Sequence, residues 1–175
     1  MTVDRFWALV EQGRAGVHDP SDAEAVADRT RQALTALPAA EVAELNQALH
    51  DLMADSYRVD LWGAAYQLNG GCSDDGFEYF RGWLLTQGRA VFERVVADPD
   101  ALADLPAVRD AAGTTLDLEC EDMFGVVADA YHALTGTYEL PRTEGRYPEL
   151  GRFWDFDDDD EFRRRLPRLS ILLED

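Results

Sequence analysis

YRVDLWGAAYQLNGGCSDDGFEYFRGWLLTQGRAVFERVV, residues Tyr57 to Val96, decides the fold class of this chain. It holds eight of the eighteen aromatic residues and six of the thirteen glycines, so specific and costly residue types concentrate here. Its apolar residues recur at three and four positions, which is helical spacing. Tyr57, Leu61, Ala65 and Leu68 make one stripe, and Arg58, Trp62 and Tyr66 make a neighbouring one. Asn69-Gly70-Gly71 closes that helix through residues that tolerate positive φ. Ser73 caps the next helix, with Asp74 and Asp75 at its positive end. This second helix carries Phe77, Phe80 and Leu84 on one face and Tyr79 and Trp83 on an adjacent one. Gln87-Gly88 breaks it, Val91, Phe92, Val95 and Val96 continue an apolar face, and Asp98-Pro99-Asp100 stops the run. Gly63, Ala64 and Ala65 are small enough to predict the tightest helix crossing at that point.

Toward the N-terminus, Phe6, Trp7, Leu9 and Val10 predict a first helix ended by Gly13 and the Gly16 region. Asp19-Pro20-Ser21-Asp22 then has the chemistry of a helix start, with a capping residue, an early proline and acids in the first turn. Ala23, Val26, Ala27, Thr30, Leu34 and Leu37 carry that helix to about Leu37, and Pro38 restarts the chain. The next helix buries Val42, Leu45, Leu49, Leu52 and Met53, and the two are expected as an antiparallel pair. Toward the C-terminus, a polar link with Pro106 and Gly113 leads to a helix from Leu116 to Leu134. Its stripe is Leu116, Cys120, Met123, Phe124, Val127, Ala130, Tyr131 and Leu134, and Gly136 terminates it. Beyond Tyr138, Pro141, Gly145, Pro148 and Gly151 punctuate an extended segment bearing Tyr147, Phe153, Trp154 and Phe156. Those rings are expected to lie across the helices, before a short helix or turn from Asp159 to about Leu166. No strand-period run and no internal repeat is visible. The prediction is an all-α fold, a single-domain irregular helical bundle with an extended aromatic C-terminal tail packed across it: residues 1–137 form the helical domain and 138–175 the tail.

The formal charge is -19, from 35 acids against 16 bases, and every base is Arg. The absence of Lys removes Schiff-base and Walker-type lysine chemistry. A chain this acidic repels phosphate backbones, so neither a nucleic-acid partner nor docking on an anionic membrane is expected. No apolar run reaches about 18 residues, and Asp4, Arg5 and Glu11 interrupt any signal-peptide core, so a cytoplasmic location is expected. Cys72 and Cys120 lack CxxC spacing and read as two ordinary thiols.

Cys72 immediately precedes a helix N-terminus, where backbone NH groups favour a thiolate, although Asp74 and Asp75 oppose it and His18, His50 and His132 are all remote in sequence. Asp60, Asp74, Asp75 and Glu78 offer carboxylates for acid-base or hard-metal chemistry, but acids in a first helical turn complement the dipole without any such role. Arg58 and Arg81 are expected to join them in a mixed ion-pair network across the two central helices. Trp62, Tyr66, Tyr79 and Trp83 are rigid amphipathic rings of the kind that line a groove, or core. The acidic run from Asp155 to Glu161 fails the EF-hand pattern, with Asp160 at its sixth position and Leu166 at its twelfth, and Arg163, Arg164, Arg165 and Arg168 are placed to neutralise it. Asp129 and His132 are half of a di-iron-type pair with no second copy. No metal, no cofactor and no catalytic residue is assigned.

The run from Tyr57 to Tyr66, then Asn69 to Leu84, then Gln87-Gly88-Arg89 resembles the signature of a bacterial domain-of-unknown-function family, number 4240. Phe6-Trp7 and the helix from Met123 to Tyr131 are also similar, so the resemblance extends to about Gly136. It implies no activity. The expected function is a helical binding or regulatory module without chemistry of its own, for an unknown protein or small-molecule partner. Its recognition surface is drawn from Arg58, Asp60, Trp62, Tyr66, Asn69, Cys72, Asp74, Asp75, Glu78, Tyr79, Arg81 and Trp83. The alternatives are a small hydrolase using the Cys, Asp and Arg side chains at the Asn69–Asp75 turn, and an acidic inhibitor or immunity-type protein for a basic partner. Tyr57 to Val96 carries a net charge of -1, which leaves -18 on the rest of the chain. That contrast marks the centre as a core crossing, a recognition site, or one face of each.

Overall fold

Local capping chemistry sets most of the helix boundaries in the computed structural model, which describes residues 2–114, 117–145 and 147–174. Helix α1 spans Thr2–Ala15, α2 Ala23–Thr35 and α3 Ala39–Asp55. The central stretch supplies α4 (Val59–Leu68), α5 (Asp74–Thr86) and α6 (Arg89–Ala97). Asp22 caps α2 by accepting from Ala25 N at 3.0 Å, and Ser73 caps α5 by accepting from Gly76 N at 3.1 Å. Pro20 lies ahead of the capping residue rather than in the first turn, where Asp19 instead closes a turn by accepting from Ser21. A 3-10 helix at Pro99–Asp104 and α7 (Pro106–Ala111) follow, then α8 (Glu121–Thr135), α9 (Asp159–Arg165) and α10 (Pro167–Glu174). Among the described residues there is no strand, and no helix is long and apolar enough to cross a membrane. The fold is all-α and single-domain.

Helix α8 is the axis of the bundle: it packs chiefly against α2, α5 and α3, while α1 packs against α2 and α3. Helices α2 and α3, expected as antiparallel partners, therefore meet α1 and α8 far more than each other. Their apolar stripes face a shared core in which Phe6, Val26, Leu34, Val42, Leu61, Phe77, Phe80 and Met123 are all excluded from solvent. Glycine sets the closest approaches. Gly13 does not end α1; it lies within the helix, where an added Cβ would meet Thr30 Oγ1 of α2 at 2.4 Å. Gly82 lets α5 run against the start of α8, with a Cβ there only 2.3 Å from the Cys120 carbonyl oxygen. Gly63, expected at a helix crossing, instead admits a tail side chain: its Cβ would stand 2.3 Å from Trp154 Cζ2.

Two segments depart from the sequence expectation. The supposed polar link is built from the 3-10 helix and α7, and it buries Ala101, Leu102, Leu105 and Val108. Helix α8 starts at Glu121, not Leu116, because the chain before it is held extended: Cys120 N donates to the Tyr79 carbonyl at 2.9 Å and Leu118 N to Asn69 Oδ1 at 2.9 Å. Leu116 itself lies outside the described residues. The buried stripe of α8 is Met123, Val126, Val127 and Ala130, Leu134 is exposed, and the helix closes at Gly136 in the left-handed region, φ 77°.

From Thr137 to Asp158 the described chain has no regular structure, and it crosses α4 with Trp154 buried. Asp158 then caps α9 by accepting from Asp160 N and Glu161 N, at 3.0 and 3.1 Å. At the end of the acidic run, Asp160 pairs with Arg163, and Glu161 with Arg164 and Arg165, within α9. Arg168 is used elsewhere. It reaches Asp98, Asp100 and Asp104 around the 3-10 helix at 2.9, 3.2 and 2.9 Å. Asp100 also accepts from Arg168 N at 3.1 Å and Leu169 N at 2.9 Å, so a buried carboxylate from a distant element caps α10.

Candidate functional site

The turn between α4 and α5 is the first feature to assemble. Gly70 and Gly71 have φ of 66° and 123°, values that only glycine adopts freely, and they swing the chain back along α4. Asn69 fixes the turn against the strand-like approach to α8, taking Leu118 N and offering Nδ2 to the Leu118 carbonyl at 3.4 Å. Trp62 Nε1 donates to the Cys72 carbonyl at 3.0 Å. The thiol of Cys72 is pushed up to about 12, first by burial and then by the negative charge of Glu119, with Arg81 opposing. Dipole reasoning placed it at a helix N-terminus correctly, but desolvation dominates, and the amide of Gly76 is taken by Ser73 Oγ. His50 packs against Tyr147 at 5.3 Å between ring centroids, and His132 stacks on Tyr138 at 4.1 Å. A protonated thiol is a poor nucleophile.

Arg81 is 1% exposed, and its guanidinium has no carboxylate within ion-pair distance among the described residues. Nη1 donates to the Met53 carbonyl at 2.7 Å, at the negative end of α3, and Nε donates to the Phe77 carbonyl at 3.2 Å. Rings close the rest of its surface: Phe77 at 4.6 Å, Tyr57 at 5.1 Å and Tyr147 of the tail at 5.8 Å. Burial holds its pKa below the usual range, with the Tyr147 phenol opposing. The expected ion-pair network across α4 and α5 does not form, because Arg81 is spent on carbonyls and Asp60 on the tail. Asp60 Oδ1 accepts from Trp154 Nε1 at 3.0 Å and from Arg165 Nη1 at 3.0 Å.

The aromatic stripe is largely roofed by the same tail. Trp62 is 8% exposed, stacks on Phe77 at 4.7 Å and meets the edge of Phe153 at 5.4 Å. Tyr66 donates to Asp157 Oδ1 at 2.9 Å, which raises the phenol's pKa, and its ring lies 5.5 Å from Phe156. Trp83 is core, against Phe80. Tyr79 is half-buried and donates to Glu121 at 3.3 Å, and that carboxylate raises its pKa. Asp74 and Asp75 are exposed in the first turn of α5, and Glu78 is half-buried one turn on. Among the described residues no group of three or more His, Cys, Asp or Glu side chains is arranged to hold a metal ion.

An open recess lies at the edge of this face. A cleft of about 730 Å³ separates the α3–α4 corner and the end of α6 from the tail at Pro148 to Arg152. Arg58 and Asp60 line it, together with Glu149, Arg152 and Arg165, which the sequence reading did not select. Of these, only Arg165 lay in a conspicuous sequence feature, the arginine run after the acids. Arg58 is the N-cap residue of α4, supplies no side-chain cap, and is steadied by Nε donating to the Asp55 carbonyl at 2.9 Å.

Comparison with known proteins places the chain. The family described as Protein of unknown function (DUF4240) matches residues 1–133, and the chain belongs to that family. No curated protein and no solved structure matches it.

Proposed function

We propose that this member of the DUF4240 family is a binding module without chemistry of its own, and that its ligand site is the cleft between the α3–α4 corner, the end of α6 and the tail. One observation carries the reading. The tail covers Trp62 and Arg81 and engages Asp60 and Tyr66, and beside Arg58 it leaves a cleft whose volume of about 730 Å³ falls in the range of small-ligand sites. Its floor comes from the family-matched helices and its roof from residues beyond the match. The protonated Cys72 thiol argues against the hydrolase alternative. The charge of -19 supports a partner other than nucleic acid or an anionic bilayer.

Ala97 is exposed and lines the cleft, so Ala97→Trp fills it without disturbing the core. A fragment library screened by ligand-observed NMR should give binders to the native protein that Ala97→Trp abolishes at unchanged melting temperature. Binders unaffected by Ala97→Trp would place the site elsewhere and refute the reading.

A further inference from the structure

The charges lining the cleft restrict what the site can hold. Around α9 and α10, the arginines at 163, 164, 165 and 168 are each paired with at least one carboxylate. In the cleft, Arg165 and Asp60 satisfy each other. Arg58 and Arg152 have no carboxylate within ion-pair distance among the described residues, and Asp55 and Glu149 have no cation there. Two guanidinium groups and two carboxylates thus share one recess with their charges unmatched. Val59, Val96 and Leu150 are half-buried along the same lining and give it an apolar side.

Which ligand charge fits follows from the whole-molecule field. At a net charge of -19, a simple anion is repelled at long range even though Arg58 and Arg152 would receive it. A simple cation finds acids over the entire surface and leaves the two arginines unused. A zwitterion carries no net charge, so the field neither favours nor opposes it, and it satisfies both sets of unmatched groups at once. Resting on the cleft as the binding site, we propose that the ligand is a zwitterion of the free amino acid or short-peptide class. Its carboxylate is received by Arg58 and Arg152, its ammonium by Asp55 and Glu149, and an apolar side chain lies on Val59, Val96 and Leu150. Planar guanidinium forks suit a carboxylate.

The test is calorimetric titration with leucyl-leucine, its N-acetyl derivative and its C-terminal amide. The free dipeptide should bind, and each blocked form should bind at least about tenfold more weakly, the loss expected for one charge-assisted contact. Arg58→Gln with Arg152→Gln should reproduce the loss for the free dipeptide at unchanged melting temperature, and so should Glu149→Gln with Asp55→Asn. Affinity should change little between about 0.05 and 0.5 M salt, since the ligand has no net charge for the field to act on. Blocked dipeptides that bind as tightly as the free one overturn the zwitterion while leaving the cleft as a site. Fragments that bind the cleft when no dipeptide does have the same meaning. Absence of any binder that Ala97→Trp abolishes overturns both readings together.

Discussion

Gly63→Ala changes one hydrogen to a methyl group in the middle of α4, and helix propensity alone says it should stabilise the protein by about 1 kcal/mol. The structure predicts the opposite. The new Cβ would lie 2.3 Å from Trp154 Cζ2, 3.0 Å from Cη2 and 3.1 Å from Cε2, so the indole must retreat by more than an ångström. Nothing lets it slide cheaply. Its Nε1 is bonded to Asp60, its ring meets Phe156 at 4.8 Å between centroids, Arg165 lies 5.5 Å from its centroid, and it is 8% exposed. Losing the bond to a carboxylate costs about 1.5–3 kcal/mol. Re-exposing part of the ring costs about another 1 kcal/mol. Set against the propensity gain, the net is a destabilisation of about 2 kcal/mol, or roughly 4–8 °C in melting temperature for a chain of this size. The assay is a four-corner cycle by urea unfolding with Trp154→Ala. In the Trp154→Ala background the clash is gone, and Gly63→Ala should become stabilising by about 0.5–1 kcal/mol. The reasoning is refuted if Gly63→Ala is neutral or stabilising in the native background, or destabilises equally in both.

Two further perturbations test other joints of the fold. Asp100→Ala removes the cap of α10 and one carboxylate of the Arg168 cluster; it should cost about 2–3 kcal/mol in urea unfolding, and a change below about 0.5 kcal/mol would contradict the role given to that carboxylate. Cys72, with its thiol raised to about 12, should be alkylated by iodoacetamide at pH 8 at least about thirtyfold more slowly than a thiol at the ordinary 9.0. Because the folded value is the higher one, the associated stability is complete below pH 9 and is lost as pH rises toward 12, and Cys72→Ala should flatten that decline in alkaline unfolding curves.

Elements whose signals are local were legible in the sequence. Ser73 and Gly136 each act within one turn of their own position, and each sits where its chemistry placed it, whereas the cap of α2 falls on Asp22, after Pro20 rather than before it. Glycine was ambiguous, because a missing side chain serves a terminator and a close approach equally well. Gly13 and Gly82 prove to be approaches, and only the partner at the contact, Thr30 or the Cys120 carbonyl, distinguishes the two. The segment from Pro99 to Ala111 read as polar because its two short helices offer too few apolar positions for any period to emerge. For the candidate site, Arg58 and Asp60 were identified, whereas Glu149 and Arg152 come to the cleft from about ninety residues away. No spacing rule spans such a distance. Arg81 was misjudged for a different reason: charge suggests surface, but a guanidinium can be buried when carbonyls and rings enclose it.

The near-neutrality of the central stretch acquires a physical role from the tail that crosses it. Asp155, Asp157, Asp158, Asp159 and Asp160 lie in or beside the part of the tail that meets α4, and elsewhere the chain presents -18 over 135 residues. An acidic segment laid on an acidic surface would be repelled. Laid on a face of net charge -1, it needs only a few specific contacts: Tyr66 to Asp157, Trp154 and Arg165 to Asp60, and Trp154 into the space at Gly63. The central face is thus both the core crossing and the seat of the tail. Because the tail departs from it at Pro148 to Arg152 without neutralising Arg58, the same docking event that covers Trp62 and Arg81 builds the roof of the recess beside them.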